Sequence, residues 1–570
     1  MKNIIDELKN RRVQGMSQKL SRGKTPKIKL TNSSGKWKGG SIFFTSASVT
    51  LLGVTAVFMW VQNEPLFYAL SDAFDYAITA GVATLLYYLF PVLRILVFML
   101  WNRQRSSQRI LTSFSHGLWM GRSTGTLSRL WHKTGLSSNL NIVLSFQDAA
   151  QNILILGGIG SGKTTRLMQP ILAQLLDQQC GGLLFDVKGD VKRVALKLAQ
   201  VTDRKVILIG PGHRPLNLLF GLTPEIAASF LKSAFLLNSG IKIDGFWIDT
   251  ATELCRNTLG LLSFFPEHYT LQGLYNYVFD EAFKNEIQEK IDPLLGSLEQ
   301  KSQRLLKGYL RYHESIFLNF DEKVKSGVLA TVAQALSPFN HPDLIDAFCQ
   351  HSENALEMKS ILDGVIYLID MPLSQWGLGG KISYTFIKLR FFNLMQSRIQ
   401  HSDWNQDHSV FFMCDEYQEL ISASKDGLSD LNFWDKSRSS KTIGIISAQS
   451  VSSFYAAMGD RDLAHAILQN FRQKICFRTE DQATIAMMSG LVGQVSIERK
   501  THSQTAGDSS KNFFEGITRS YSNSQSITET KESVLDPSLF RGLSPNQAIA
   551  LLSLHGYSMD DVLELMPVFV

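Results

Sequence analysis

The stretch "ILILGGIGSGKTTRLMQP", residues 153–170, decides the fold. Four branched apolar residues read as a buried strand, six residues rich in glycine as a tight turn, and the remainder as a helix. Gly157, Gly162, Lys163 and Thr164 fit the pattern G-x-x-x-x-G-K-[ST]. That pattern has a mechanism: glycines let backbone N–H groups curl around phosphates, the lysine reaches the β and γ oxygens, and the hydroxyl goes to Mg²⁺. Residues 157–165 (Gly157, Gly158, Ile159, Gly160, Ser161, Gly162, Lys163, Thr164 and Thr165) are therefore the candidate nucleotide cradle, and ATP with Mg²⁺ the expected ligands. Pro170 falls too deep for a first helical turn and predicts a local kink.

A hydrolytic site needs a second strand that ends in acid. "VFFMCDE", 410–416, supplies one. Asp415 is placed to hold the magnesium shell and Glu416 to polarise an attacking water. "GIISAQS", 444–450, ends a further apolar strand on Gln449, which either senses the γ-phosphate and orients water or caps a turn. Arg438, eleven residues before Gln449, and Arg478 are two candidates for an arginine that reaches a neighbouring subunit's nucleotide; a solvated surface arginine is the alternative for each. "FDVKGD", 185–190, closes a strand expected beside the P-loop strand, with Asp186, Lys188 and Asp190 at the carboxyl edge where ligands gather in open α/β sheets.

Outward from these motifs, short apolar runs at 152–158, 181–187, 205–210, 364–370, 409–415, 442–448 and 474–479 alternate with helical stretches. Near-continuous apolar strands separated by helices predict a mostly parallel sheet covered on both faces, an α/β fold of the RecA-like P-loop NTPase kind. The nucleotide-binding domain then comprises 102–221 and 336–570, interrupted by an all-α insertion at 222–335, where helical spacing replaces the strand runs. Residues 501–533 are rich in Ser and Thr and read as a flexible loop or a long solvated hairpin.

The front of the chain is different. Residues 41–62 carry no charge, and a second uncharged run goes from Tyr76 to Leu93 and continues past Arg94 to Trp101. About 20 apolar residues cross a bilayer core, so 41–101 reads as two transmembrane helices. Arg94 either snorkels to an interface or faces a protein partner. Residues 1–40 form a basic tail with eleven Lys or Arg, and Arg103, Arg105 and Arg109 follow the second span. The connecting loop has Glu64, Asp72 and Asp75 and no basic residue. Positive charge stays inside, which puts both termini in the cytoplasm. The length and position of the first run disfavour a cleaved signal peptide. Five cysteines without C-x-x-C spacing disfavour a zinc cluster or a disulfide framework. No L-S-G-G-Q segment separates the two acidic and glycine-rich elements, which disfavours an ABC transporter.

Two spans, a Walker A loop, a D-x-K-G-D strand end, a helical insertion, a Walker B strand ending in DE and a later Q-S strand end occur in that order. The order resembles the type IV secretion coupling proteins, membrane ATPases of conjugation and effector secretion. Supporting stretches are "PLNLLFG" (215–221), "GFWIDTATELCRNTLGLL" (245–262), "GVLATVAQALSPFNHPDLIDAF" (327–348) and "SVLDPSLFRGLSPNQAIALL" (533–552). The strand end departs from the commoner D-P-K-G-E. The resemblance implies a homo-hexamer in the bacterial inner membrane with nucleotide between subunits and Arg438 acting in trans. It implies type IV secretion channel components as partners, and relaxase-bound single-stranded DNA or effector and adaptor proteins as cargo. Two other readings remain open: a DNA translocase of the septal or HerA type, and a docking platform with weak ATPase activity.

Overall fold

The computed structural model describes residues 117–130, 133–238, 245–351, 358–424, 427–509 and 518–567. The two expected membrane spans and the basic tail lie outside these residues. Among the described residues no helix is long and apolar enough to cross a membrane.

Thirteen strands are present among the described residues: β1 Leu118–Ser123, β2 Asn141–Leu144, β3 Ile153–Leu156, β4 Gly181–Asp186, β5 Val206–Ile209, β6 Ile366–Asp370, β7 Val410–Cys414, β8 Thr442–Ala448, β9 Gln473–Cys476, β10 Gln494–Ser509, β11 Thr518–Ser533, β12 Gln547–Leu554 and β13 Tyr557–Glu564. All but β10 and β11 form one sheet in the order β2-β1-β13-β12-β9-β3-β8-β7-β4-β6-β5. From β9 to β5 every pairing is parallel. The central strands β3, β4, β7 and β8 are buried along their whole length, as parallel strands covered on both faces must be.

The expected parallel strands all form, but their order differs from expectation at one point. The strand that ends in "FDVKGD", β4, does not border the P-loop strand. It pairs with β6 and β7, while β3 lies between β8 and β9. Sequence periodicity reports that a strand is buried on both faces; it carries no information on which buried strand is the neighbour. A second difference is the antiparallel flank β2-β1-β13-β12. Strands β12 and β13 are joined by a two-residue turn, His555 (φ 51°) and Gly556 (φ 83°), both in the left-handed region that this hairpin class requires. Buried Asp561 on β13 accepts from the Gly125 and Leu127 backbone N–H groups and so ties the flank together across the chain.

Behind the P-loop the chain forms a π turn over Thr164–Met168 before the regular helix α1, Gln169–Asp177. Pro170 has no N–H to return to the preceding turn, and the chain meets it with this wider turn. Helix α2, Val191–Val201, follows β4. Between β5 and β6 the described chain is helical apart from its connections, with helices at Pro224–Asn238, Gly245–Leu262, Leu271–Phe279, Glu281–Ser297, Gln300–Arg311, Glu322–Leu336 and Pro342–Phe348. Thr270 and Asp280 cap two of them by accepting from Gly273 N–H and from Ala282 and Phe283 N–H. Phe230 of the first helix meets Phe386 edge-on, centroids 5.9 Å apart, on α3, Leu373–Arg398. The helical segment thereby shares a core with the sheet.

His313 lies within this helical segment, against Tyr277 and Tyr312. Burial lowers its pKa from 6.5 to about 4. The folded protein therefore binds fewer protons than the unfolded chain between those values, and stability falls as pH drops from about 6.5 towards 4. The full shift corresponds to about 3 kcal/mol, and partial solvent access reduces this to roughly 1–2 kcal/mol. His313→Gln is expected to flatten the stability–pH curve over that window in denaturant titrations; an unchanged slope would contradict it.

Of the two alternatives for 501–533, the described residues show a hairpin. β10 and β11 pair antiparallel through sixteen rungs without a register shift, Gln494 opposite Ser533 and Ser509 opposite Thr518. One face carries Thr501, Ser503 and Thr505 opposite Ser526, Ser524 and Ser522, and Ser503 and Ser524 hydrogen-bond at 2.6 Å.

Candidate functional site: a phosphate loop facing an acidic strand end

Parallel strands β3, β7 and β8 end at the same edge of the sheet, so the loops that follow them converge. The P-loop leaves β3 with Gly157 at φ 153° and turns through Gly160 (70°) and Gly162 (98°). A Cβ on Gly157 would lie 2.6 Å from Phe477 Cβ and 2.8 Å from Ser161 Oγ, so only glycine fits. Gly158 N–H donates to Arg478 C=O at 2.9 Å, which moors the loop to the end of β9. Ile159, at the crest, is 85% exposed.

Lys163 is buried, and its Nζ donates to the carbonyls of Gly157 (2.6 Å) and Gly158 (3.3 Å). Burial lowers its pKa, against the opposing pull of Asp415 and Glu416. Thr164 Oγ1 donates to Asp415 Oδ2 at 2.8 Å. The other carboxylate oxygen of Asp415 accepts from Ser447 Oγ on β8 and from the Glu416 N–H at 3.0 Å. The hydroxyl and the carboxylate expected to share a metal ion are thus in direct contact. Ser161 Oγ is buried with no hydrogen-bond partner, which fits a loop built to surround an anion.

Glu416 is almost fully buried and adopts φ 56°, ψ 47°, a left-handed conformation uncommon outside glycine. Such backbone strain concentrates at functional sites. Its carboxylate is ringed by donors. Lys188 Nζ forms an ion pair with Oε1, Gln418 Nε2 donates to Oε2 at 2.6 Å, and Gln449 Nε2 sits 3.5 Å from both oxygens. Burial pushes the Glu416 carboxyl up, yet these donors outweigh it and hold it below its ordinary value. Burial likewise works against the Lys188 charge, and Glu416, Asp415 and Asp190 together raise its pKa above the ordinary lysine value.

Asp186 has a different task from its neighbours in "FDVKGD". Fully buried, it accepts from the N–H groups of Gly189 (2.9 Å), Val191 (3.1 Å) and Lys192 (2.8 Å), capping α2. Asp190 lies close enough to Asp186 and Asp415 that burial and their charges raise its pKa.

The two arginines fall on opposite sides. Arg478 is exposed, and its backbone carbonyl touches the P-loop of its own chain. Arg438 is also exposed but precedes the amino end of β8. Seven strand residues at about 3.3 Å each put it roughly 20 Å from the P-loop edge of the same chain. The structure therefore does not bring Arg438 to its own nucleotide cradle. It brings Lys163, Thr164, Asp415, Glu416 and Gln449 together, and adds Lys188, Gln418 and Ser447, to which sequence reading gave no partner. The Ser447 side chain could have been found from its position two residues before Gln449 on a strand ending at the same edge. Nothing in the sequence paired Lys188 with Glu416, because their strands are over 200 residues apart and were not expected to be neighbours.

Residues 409–545, from β7 to just before β12, match the family described as the TraM recognition site of TraD and TraG. No curated protein matches the chain. Among solved structures, the bacterial conjugative coupling protein TrwBdeltaN70 in an unbound form is 15% identical, covers 80% of this chain and 95% of its own, and superposes with TM-score 0.55. TrwB with the non-hydrolysable GTP analogue GDPNP gives 16%, 80%, 96% and 0.53, and TrwB with ADP and Mg²⁺ gives 16%, 80%, 98% and 0.53. At such identities the structural likeness establishes the fold alone, an α/β fold with a large, mostly parallel sheet like that of TrwB. The chain thus matches that family over residues 409–545 and shares its fold with the TrwB structures, and on these two grounds its resemblance to the type IV secretion coupling proteins holds.

Proposed function

We propose that this protein is an inner-membrane ATPase of a type IV secretion system that delivers cargo to the transport channel and powers or gates its transfer. The observation that carries the hydrolytic part is the 2.8 Å contact between Thr164 on the P-loop and Asp415 at the end of β7, with Glu416 next to it. Lys163 and the backbone N–H groups of 157–165 bind the triphosphate. Thr164 and Asp415 would hold Mg²⁺, which neutralises phosphate charge. Glu416 accepts the proton of the attacking water, and Gln449 positions that water. The likeness to TrwB, whose structures include complexes with nucleotides and with ADP and Mg²⁺, supports this reading.

Nucleotide sits between subunits of a homo-hexamer, and Arg438, on the sheet edge away from its own P-loop, completes the neighbour's site. The chain is anchored by 41–101 with both termini cytoplasmic, and the helical insertion at 222–335 forms the cargo entrance. Cargo is relaxase-bound single-stranded DNA, an effector protein, or both. Phosphate release by the purified full-length protein, with and without single-stranded DNA, tests the reading. Stimulation supports DNA cargo; no Mg²⁺-dependent hydrolysis under either condition sinks the motor.

The intersubunit part has its own test. Arg438→Ala and Glu416→Gln proteins, each inactive alone, should regain a fraction of hydrolysis when mixed, because some interfaces then join an intact Glu416 to an intact Arg438. Absence of any recovery in mixtures shown to co-assemble argues against a trans role.

A further inference from the structure

Lys188 stands out once the site is assembled. Its backbone is fixed from several directions. The Asp186 carboxylate accepts from Gly189, Val191 and Lys192, the Asp186 carbonyl accepts from Tyr384 Oη at 3.1 Å, and the Val187 carbonyl accepts from Leu373 N–H at 3.1 Å. Gly189 turns the chain at φ 86°. Its side chain, by contrast, is 48% exposed and crosses from the end of β4 to the end of the adjacent β7, where it pairs with Glu416. A flexible ammonium on a rigid base, facing the open side of the cleft, can change partner without moving the backbone.

We propose that Lys188 is a positioning residue for hydrolysis: it holds the Glu416 carboxylate in its strained setting and governs when that carboxylate faces the attacking water. The proposal rests on the reading of Glu416 as the group that activates water. Three features support it. Glu416 is held in a left-handed conformation that something must maintain. Its two oxygens are shared among Lys188, Gln418 and Gln449, of which only Lys188 carries charge. The strand order puts β4 beside β7, so the loop bearing Lys188 belongs to the acidic half of the site, while β8 and β9 flank the P-loop strand.

Lys188 acts through Glu416 and does not bind nucleotide, and that separates its expected kinetics from those of Lys163. In the full-length protein, Lys188→Met should lower kcat for Mg²⁺-ATP by roughly 10–100-fold while KM changes less than about twofold, the pattern of a lost transition-state interaction. Lys188→Arg, which keeps the charge, should restore kcat to within about threefold. In a Glu416→Gln background, Lys188→Met should cause no further loss, because residues that work as a unit are not additive. A raised KM with unchanged kcat, an additive loss in the double variant, or no recovery by arginine would each overturn the proposal. Full activity of Lys188→Met beside an inactive Glu416→Gln refutes this inference alone. Full activity of Glu416→Gln refutes the underlying assignment of Glu416.

Discussion

Lys163→Ala is expected to reduce ATP hydrolysis by about 10³-fold or more, equivalent to about 4 kcal/mol of transition-state stabilisation. The lysine is 7% exposed and its ammonium lies against the Gly157 and Gly158 carbonyls, at the mouth of a loop shaped by three left-handed glycines. Alanine removes the one cation that the loop contributes and leaves its backbone N–H groups in place. Nucleotide binding should therefore weaken less than turnover. Lys188 does not substitute, because its backbone is anchored at the end of β4, on the acidic half of the site, where its ammonium pairs with Glu416. Phosphate release checks the first expectation and fluorescent-nucleotide titration the second. Wild-type turnover by Lys163→Ala would remove the motor reading altogether.

The second large effect is on stability. Lys388 on α3 and Asp430 are both completely buried and paired at 2.6 Å. Around them Tyr417 Oη, Trp434 Nε1 (2.8 Å) and Ser422 N–H (2.7 Å) donate to Asp430, and Lys388 also donates to Leu420 C=O and Ser422 Oγ. Phe392 stacks on Phe433 at 3.8 Å beside the pair. Removing one partner of such a pair strands the other charge in a low-dielectric interior, which costs about 3–5 kcal/mol. Asp430→Asn should destabilise more than Lys388→Met. Asp430 without the lysine keeps its neutral donors, whereas Lys388 without the aspartate keeps only neutral oxygens. Thermal denaturation checks the order, and the reverse order would show that the neutral donors do not sustain the carboxylate. The network joins Tyr417, next to Glu416, to Trp434, four residues before Arg438. Ser437 in the same segment hydrogen-bonds Asn152, immediately before β3. Loss of the pair is therefore expected to lower hydrolysis as well, by displacing Glu416 and the Arg438 segment together.

These two cases also mark what could be read in advance. Lys163 was legible because the phosphate loop is local: strand, turn and helix start lie within 18 consecutive residues, and each glycine is there for a backbone reason. Asp415 and Glu416 were legible because an apolar strand that ends in two acids leaves them at the sheet edge. Lys388 and Asp430 were not legible. A lysine in a helical run and an aspartate in a polar loop read as surface, and only their juxtaposition makes them core.

The sequence by itself determined that there is a buried parallel sheet, where its strands lie, and that the loop leaving one of them carries the glycine–lysine–threonine pattern of a phosphate cradle. Each of those properties is encoded within a few residues of the feature itself. The tertiary structure decided which strands are neighbours. By inserting β8 between β3 and β7, it placed Ser447 and Gln449 between the P-loop and the acids. By setting β4 beside β7, it gave Glu416 its lysine. By running β8 the length of the sheet, it put Arg438 on the far edge. Neighbour choice in a sheet depends on long-range packing of equally apolar strands, and no single strand's sequence distinguishes one such neighbour from another.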